Sequence, residues 1–162
     1  MELILGSMKS GKSALLLEVA NDLSKTKGQN EKLIFIRPSC DNRDFISRGR
    51  EPDIHLKFGD ERTNLQNYDY IFIDEIQFFN KQYIQYLIGL ENKKVLMLAG
   101  LNANIHNQTW SNITTLIPYA SAIEFLKANC DICGAKESAI HHIGDDKVGD
   151  NYVVVCPKCY KK

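Results

Sequence analysis

The sequence has no net charge, no long apolar run and no internal repeat, and each lack removes a class of protein. Twenty lysines and arginines balance twenty aspartates and glutamates, so nothing electrostatic favours a stable nucleic-acid partner. The basic tail Lys158-Cys159-Tyr160-Lys161-Lys162 is too short to alter that balance. No stretch reaches the ~18 consecutive apolar residues of a membrane-spanning helix. Met1-Glu2 runs straight into Leu3-Ile4-Leu5 without a basic leader or small-residue cleavage site, and the expectation is an intracellular, cytoplasmic protein with no membrane partner. A 44% apolar share over 162 residues suffices for one ordinary domain with room for a small attached module.

What is present begins with four short apolar runs: Glu2 to Leu5, Leu33 to Ile36, Tyr70 to Ile73 and Val95 to Ala99. None alternates, so each reads as a strand covered on both faces. Helical patterns lie between them, over Ser13–Leu23 and Lys81–Leu90. Strands separated by helices imply a parallel sheet of the α/β type. The polar stretch from Asp41 to Gln66 has no clear periodicity and reads as a loop or lid with room for a short helix. After Leu126 the chain turns to cysteines, glycines and turns. This divides it into a nucleotide-binding part over 1–126 and a small module over 127–162.

Gly6-Ser7-Met8-Lys9-Ser10-Gly11-Lys12-Ser13 satisfies G-x-x-x-x-G-K-[ST] at every fixed position, between a strand and a helix. Such a loop wraps its backbone N–H groups around phosphate, and glycine permits the close approach. Lys12 then reaches the β- and γ-phosphates of ATP, and Ser13 offers its hydroxyl to Mg²⁺. The helix that follows aims its positive end at the anion. For Lys9 two readings stay open, a phosphate contact or a solvated side chain.

Asp74-Glu75 closes the third apolar run, at the carboxyl edge where open α/β sheets bind ligands. Asp74 is placed to hold Mg²⁺, and Glu75 to act as general base toward an acceptor hydroxyl. The plain alternative is a solvated acidic strand end.

Cys130-x-x-Cys133 and Cys156-x-x-Cys159, with 22 residues between them, match two knuckles offering four thiolates to one tetrahedral Zn²⁺. Four protein ligands leave no open position, so the metal is expected to be structural. A redox role would need to explain two pairs rather than one. His141 and His142 are competing ligands, with surface placement the plainer reading.

Together these residues resemble the zinc-containing, type II thymidine kinase family. The glycine loop is similar to that family's G-P-M-F-S-G-K-S, with Met8 kept. Asp74-Glu75-Ile76-Gln77-Phe78-Phe79 resembles D-E-x-Q-F-F, and Cys40-Asp41-Asn42-Arg43 resembles D-x-R-Y. Gly149-Asp150-Asn151-Tyr152 through Cys156 resembles the lasso loop that closes over the nucleoside. The resemblance implies a P-loop NTPase-like sheet with a C-terminal zinc module carrying the lasso. It also implies transfer of the ATP γ-phosphoryl group to thymidine, or to deoxyuridine. It makes Glu75 the base and puts Arg43 with the cofactor-binding residues. It gives Met8, Phe78, Asp150 and Tyr152 to the nucleoside, with Ile105 and Trp110 where the family carries aromatic groups near the base. A homotetramer is implied as well.

Two other classes compete. Asp74-Glu75-Ile76 superficially resembles a helicase box, but the neutral charge and the short chain oppose a nucleic-acid-stimulated ATPase. A nucleotide-binding relative with altered base specificity or without catalysis is the third, and the presence of Lys12, Ser13, Asp74 and Glu75 opposes loss of catalysis.

Overall fold

The apolar runs become strands whose alternate residues enter two separate cores. In the computed structural model, which describes residues 1–26, 32–47, 49–144 and 152–161, six parallel strands form the main sheet in the order β3-β2-β4-β5-β1-β6. They are β1 (Glu2–Gly6), β2 (Leu33–Ile36), β3 (Lys57–Gly59), β4 (Tyr70–Ile73), β5 (Val95–Leu101) and β6 (Ala122–Leu126). Leu3 and Leu5 join Ile34, Ile36, Ile71, Ile73, Leu96 and Leu98 in one core, while Ile4 joins Leu33, Phe35, Phe72 and Ala99 in the other. The runs show no polar alternation because both faces are dry.

Helices close each face. Helix α1 (Lys12–Ser24) covers the second core with Leu16, Leu17 and Ala20. Helix α2 (Lys81–Leu90) covers the first with Tyr83, Ile84 and Leu87, joined by Ile113 and Leu116 from α3 (Ser111–Leu116). Each large side chain so buried contributes roughly 1.5–3 kcal/mol relative to exposure. Asn80 starts α2, its side-chain oxygen accepting from the Tyr83 N–H at 2.8 Å, which satisfies a donor the helix leaves free. No helix among the described residues is long and apolar enough to cross a membrane.

Two strands of the main sheet were not visible in the sequence pattern. The stretch from Asp41 to Gln66 contains β3 rather than a helix among its described residues; at three residues, β3 is too short for periodicity to register. Strand β6 lies at the sheet edge beside β1, with Ala122 to Phe125 exposed, so it lacks the continuous apolar signature of its neighbours.

Beyond β6, an isolated pairing of Ala128 with Ala139 leads to an antiparallel hairpin of β7 (His141–Gly144) and β8 (Tyr152–Val155), followed by α4 (Pro157–Tyr160). Ala128, Cys130, Ala139, Val154, Val155 and Cys156 form its small core. His142 is only 3% exposed, so the surface placement expected for it does not hold.

Gly100 in β5 lies directly under the site. A Cβ there would sit 2.7 Å from Ile76 Cγ2 and 3.0 Å from both Gln77 Oε1 and Ile113 Cδ1. Gly100→Ala is therefore expected to lower stability by about 1–3 kcal/mol through overpacking, read as a lower urea midpoint. An unchanged midpoint would contradict this packing.

Candidate active site

The parallel sheet delivers β1 and β4 with their carboxyl ends on one edge, and the glycine loop and Asp74-Glu75 follow those strands directly. Left-handed backbone at Lys9 (φ 59°) and Gly11 (φ 90°) bends the loop into the start of α1. No side chain caps that helix, which leaves its first N–H groups available to an anion. Lys12 is 7% exposed and its Nζ donates to Ser7 O at 2.7 Å. Burial lowers its pKa, against the pull of Glu75 and Asp74.

Ser13 Oγ donates to Asp74 Oδ1 at 3.1 Å, while Asp74 Oδ2 is buried with no hydrogen-bond partner. Burial pushes the Asp74 carboxyl up to about 7, and the Glu75 charge adds to this; Ser13, Arg43 and Lys12 oppose it. A buried carboxylate with one oxygen free, beside a serine hydroxyl, fits a Mg²⁺ site.

Glu75 adopts left-handed backbone, φ 53° and ψ 42°, and both its oxygens are held. Arg43 donates to Oε1 at 3.0 Å, and Gln77 Nε2 donates to Oε2 at 2.7 Å. The amide oxygen of Gln77 accepts from the Leu101 N–H at 3.1 Å, tying Glu75 to the end of β5. Arg43 is fixed in turn by the fully buried Asp41 carboxylate, with Nε on Oδ1 at 2.8 Å and NH2 on Oδ2 at 2.7 Å. The Asp41 hydrogen bonds raise the Arg43 pKa against its partial burial. Burial works against ionised Asp41, but Arg43 and Arg37 outweigh it and hold the pKa low. Asn112 Nδ2 donates to the carbonyls of Ile76, Gln77 and Phe79 at 3.2, 3.2 and 2.7 Å, pinning the turn after Glu75.

Phe78 meets Trp110 edge-on, with ring centroids 5.7 Å apart. Ile105 is half-buried in a turn closed by Asn104 N–H donating to Gln108 O at 2.9 Å. Met8 packs against the small core of the hairpin module, as does Tyr152. Lys9, a phosphate candidate in the sequence, donates to Asp131 at 2.8 Å. Asp150 lies outside the described residues. The structure thus brings Lys12, Ser13, Asp74, Glu75 and Arg43 into one cluster and puts Met8 and Lys9 against the module.

The sulfurs of Cys130, Cys133, Cys156 and Cys159 all lie within 4.8 Å of one another, and Cys133 is 3.8 Å from Cys156. Tetrahedral Zn²⁺ with ~2.3 Å Zn–S bonds requires sulfurs about 3.8 Å apart. The donor set fits zinc. N–H groups of Cys133 and then Cys156 directed at the Cys130 sulfur bring its thiol down to about 6, ready to ligate as thiolate.

A family model described as thymidine kinase matches residues 1–160. The chain belongs to the thymidine kinase family. It is 31% identical to the thymidine kinase of Amsacta moorei entomopoxvirus, covering 98% of this chain and 96% of that protein. Identity to the Pseudothermotoga lettingae thymidine kinase is 28%, over 99% and 94% of the two chains. The Mycoplasma mycoides subsp. mycoides thymidine kinase is 29% identical, over 82% of this chain and 69% of its own. Within the family's D-E-x-Q-F-F motif the geometry separates the parts: Asp74 faces Ser13, Glu75 faces Arg43, and Gln77 braces Glu75. Sequence reasoning had Gln77 only as a motif letter, and it missed Asn112 and Arg37 because their partners are backbone carbonyls and a buried aspartate.

Two measurements check this site. The folded pKa of Asp74 lies above its ordinary 3.8, so the folded chain binds the proton more tightly than the unfolded one. The resulting stability is present at acid pH and lost as pH rises from about 4 through about 7. Asp74→Asn should flatten that loss in metal-free protein and abolish the extra stability conferred by Mg²⁺ with ATP; an identical pH profile in both proteins would be incompatible with the buried carboxylate. Metal analysis should find about one Zn²⁺ per chain, falling sharply in Cys133→Ser, and chelation should loosen the hairpin because metal binding energy is folding energy. Full zinc retention in that variant would remove Cys133 from the ligand set.

Proposed function

We propose that this chain transfers the γ-phosphoryl group of ATP to the 5′-hydroxyl of thymidine, with deoxyuridine as a second acceptor, giving the monophosphate and ADP. The observation that carries this reading is Glu75, a carboxylate gripped on both oxygens beside the phosphate loop. A general base must be held where the acceptor proton is, and loose side chains lose orientation.

The new bond forms between the nucleoside 5′-oxygen and the γ-phosphorus as the bond to the β–γ bridging oxygen breaks. The 5′-hydroxyl proton passes to Glu75, and ADP carries away the electron pair. Lys12 and the loop N–H groups stabilise the charge spread over the phosphoryl oxygens. Arg43, anchored by Asp41, keeps Glu75 oriented and adds positive charge on the acceptor side. Asp74 and Ser13 would hold Mg²⁺, which would supply charge neutralisation to the nucleotide's phosphates. Cys130, Cys133, Cys156 and Cys159 would hold zinc with all four positions filled by protein, which would make its role structural. Met8, Phe78, Trp110 and Tyr152 form the apolar and aromatic set available to a base, with Ile105 adding an aliphatic group.

The family resemblance supports a homotetramer, and four free thiols arranged for metal suit a reducing cytoplasm. One observation favours a second reading, a kinase of altered base preference: Ile105 stands where the family has an aromatic side chain.

The test is a screen of nucleosides with labelled ATP, reading phosphorylated product, with Glu75→Gln as the control. Thymidine should be among the best acceptors. Glu75→Gln should bind ATP normally and lose about 10²–10⁴-fold in kcat. Full activity in Glu75→Gln would move the base elsewhere, and product only from a purine nucleoside would overturn the substrate.

A further inference from the structure

Three consecutive residues of the glycine loop rest their side chains on the cysteine module. Ser7 Oγ, fully buried, donates to Ala139 O at 2.9 Å. Met8 packs on the module's core. Lys9 Nζ donates to Asp131 Oδ2 at 2.8 Å and stands 5.2 Å from the centre of the Tyr152 ring. Asp131 lies between the first pair of cysteines, and the same Oδ2 accepts the Val154 N–H at 2.8 Å. The Asp131 N–H returns a hydrogen bond to Val154 O, also at 2.8 Å. One carboxylate oxygen therefore joins the phosphate loop to β8.

We propose that Lys9 is a positioning residue for the nucleoside side of the site, acting through Asp131 on β8 and Tyr152, and not a phosphate ligand. Its left-handed backbone, φ 59°, is an unusual conformation for a residue with a side chain, and it sends the side chain outward while the loop backbone curls. The ammonium neutralises Asp131, which otherwise sets a negative charge next to the four-cysteine cluster. It also covers the face of Tyr152, an attraction added to the ion pair. The pair is part-exposed, at 44% and 33%, so its effect is modest and falls with salt. The consequence for nucleoside binding rests on the proposed function, through Tyr152; the consequence for β8 does not.

The test compares wild type with Lys9→Met, Lys9→Arg and Asp131→Asn, each first checked for full zinc content and native circular dichroism. Lys9→Met is expected to raise the thymidine KM about two- to fivefold, the range open to an ion pair of this exposure, with the ATP KM moving less than that. Hydrogen exchange in β8 should quicken in Lys9→Met and return toward wild type in Lys9→Arg. Asp131→Asn should match Lys9→Met, and the double variant should add little to either single change. A raised ATP KM with unchanged thymidine KM and unchanged β8 exchange would make Lys9 a phosphate ligand and overturn the proposal. Unchanged β8 exchange alone would also overturn it. Should wild type fail to phosphorylate thymidine, the proposed function falls, and the exchange comparison still decides the role of Lys9.

Discussion

Lys12 and Asp74 are buried together at the carboxyl edge of the sheet, and the site depends on that pair of opposite charges sharing one dry space. Burial moves the lysine pKa down and the aspartate pKa up, so each is driven toward its neutral form, and each opposes that drift in the other. A fold would not hold such groups for stability alone, since apolar residues of like volume do as well. The arrangement makes sense as a receptacle. A phosphate brings negative charge to Lys12, and a divalent cation brings positive charge to the free oxygen of Asp74, so one ligand complex answers both deficits.

Glu75 shows the complementary strategy. Its left-handed backbone costs about 1–3 kcal/mol, and three separate devices offset that. Asp41 fixes Arg43, Arg43 fixes one carboxylate oxygen, and Gln77 fixes the other while accepting from β5. Asn112, donating to three carbonyls, closes the turn from below. A strained residue persists only where its surroundings over-determine it. Here the strain turns Asp74 toward Ser13 and Glu75 toward Arg43, which a regular strand achieves only by alternation across the sheet. Adjacent carboxylates thereby take different partners and different tasks.

Much of this was legible in the chain. The loop spacing, the four doubly buried strands and the acidic strand end fix both the sheet and its reactive edge, because each rests on local pattern. The cysteine spacing likewise forecast the cluster of four sulfurs. What escaped was set by tertiary contact. β3 is too short to show a period, and β6 is an exposed edge strand held by its pairing with β1. His142 carries no sign in the sequence of the burial it acquires on β7. Lys9 is one of two lysines in a phosphate loop, and only the fold reveals that Asp131, 122 residues away, takes its charge.

The same long-range logic explains why a metal module is joined to this sheet at the phosphate loop. Among the described residues its buried core consists of two alanines, two valines and two of the cysteines. A core of that size buries little surface, and a tetrahedral metal on the four sulfurs would add folding energy. Metal on the four sulfurs would fix the module internally but not its seat on the sheet. That seat is built from Ser7 on Ala139, Met8 on the core, Lys9 on Asp131 and Asn102 Nδ2 donating to Ile140 O at 3.3 Å. Three of the four come from positions that the glycine-loop pattern leaves open. Those three side chains thus serve the module, unlike Lys12, which donates to Ser7 O within the loop. The loop that carries Lys12 also seats the hairpin module on the sheet.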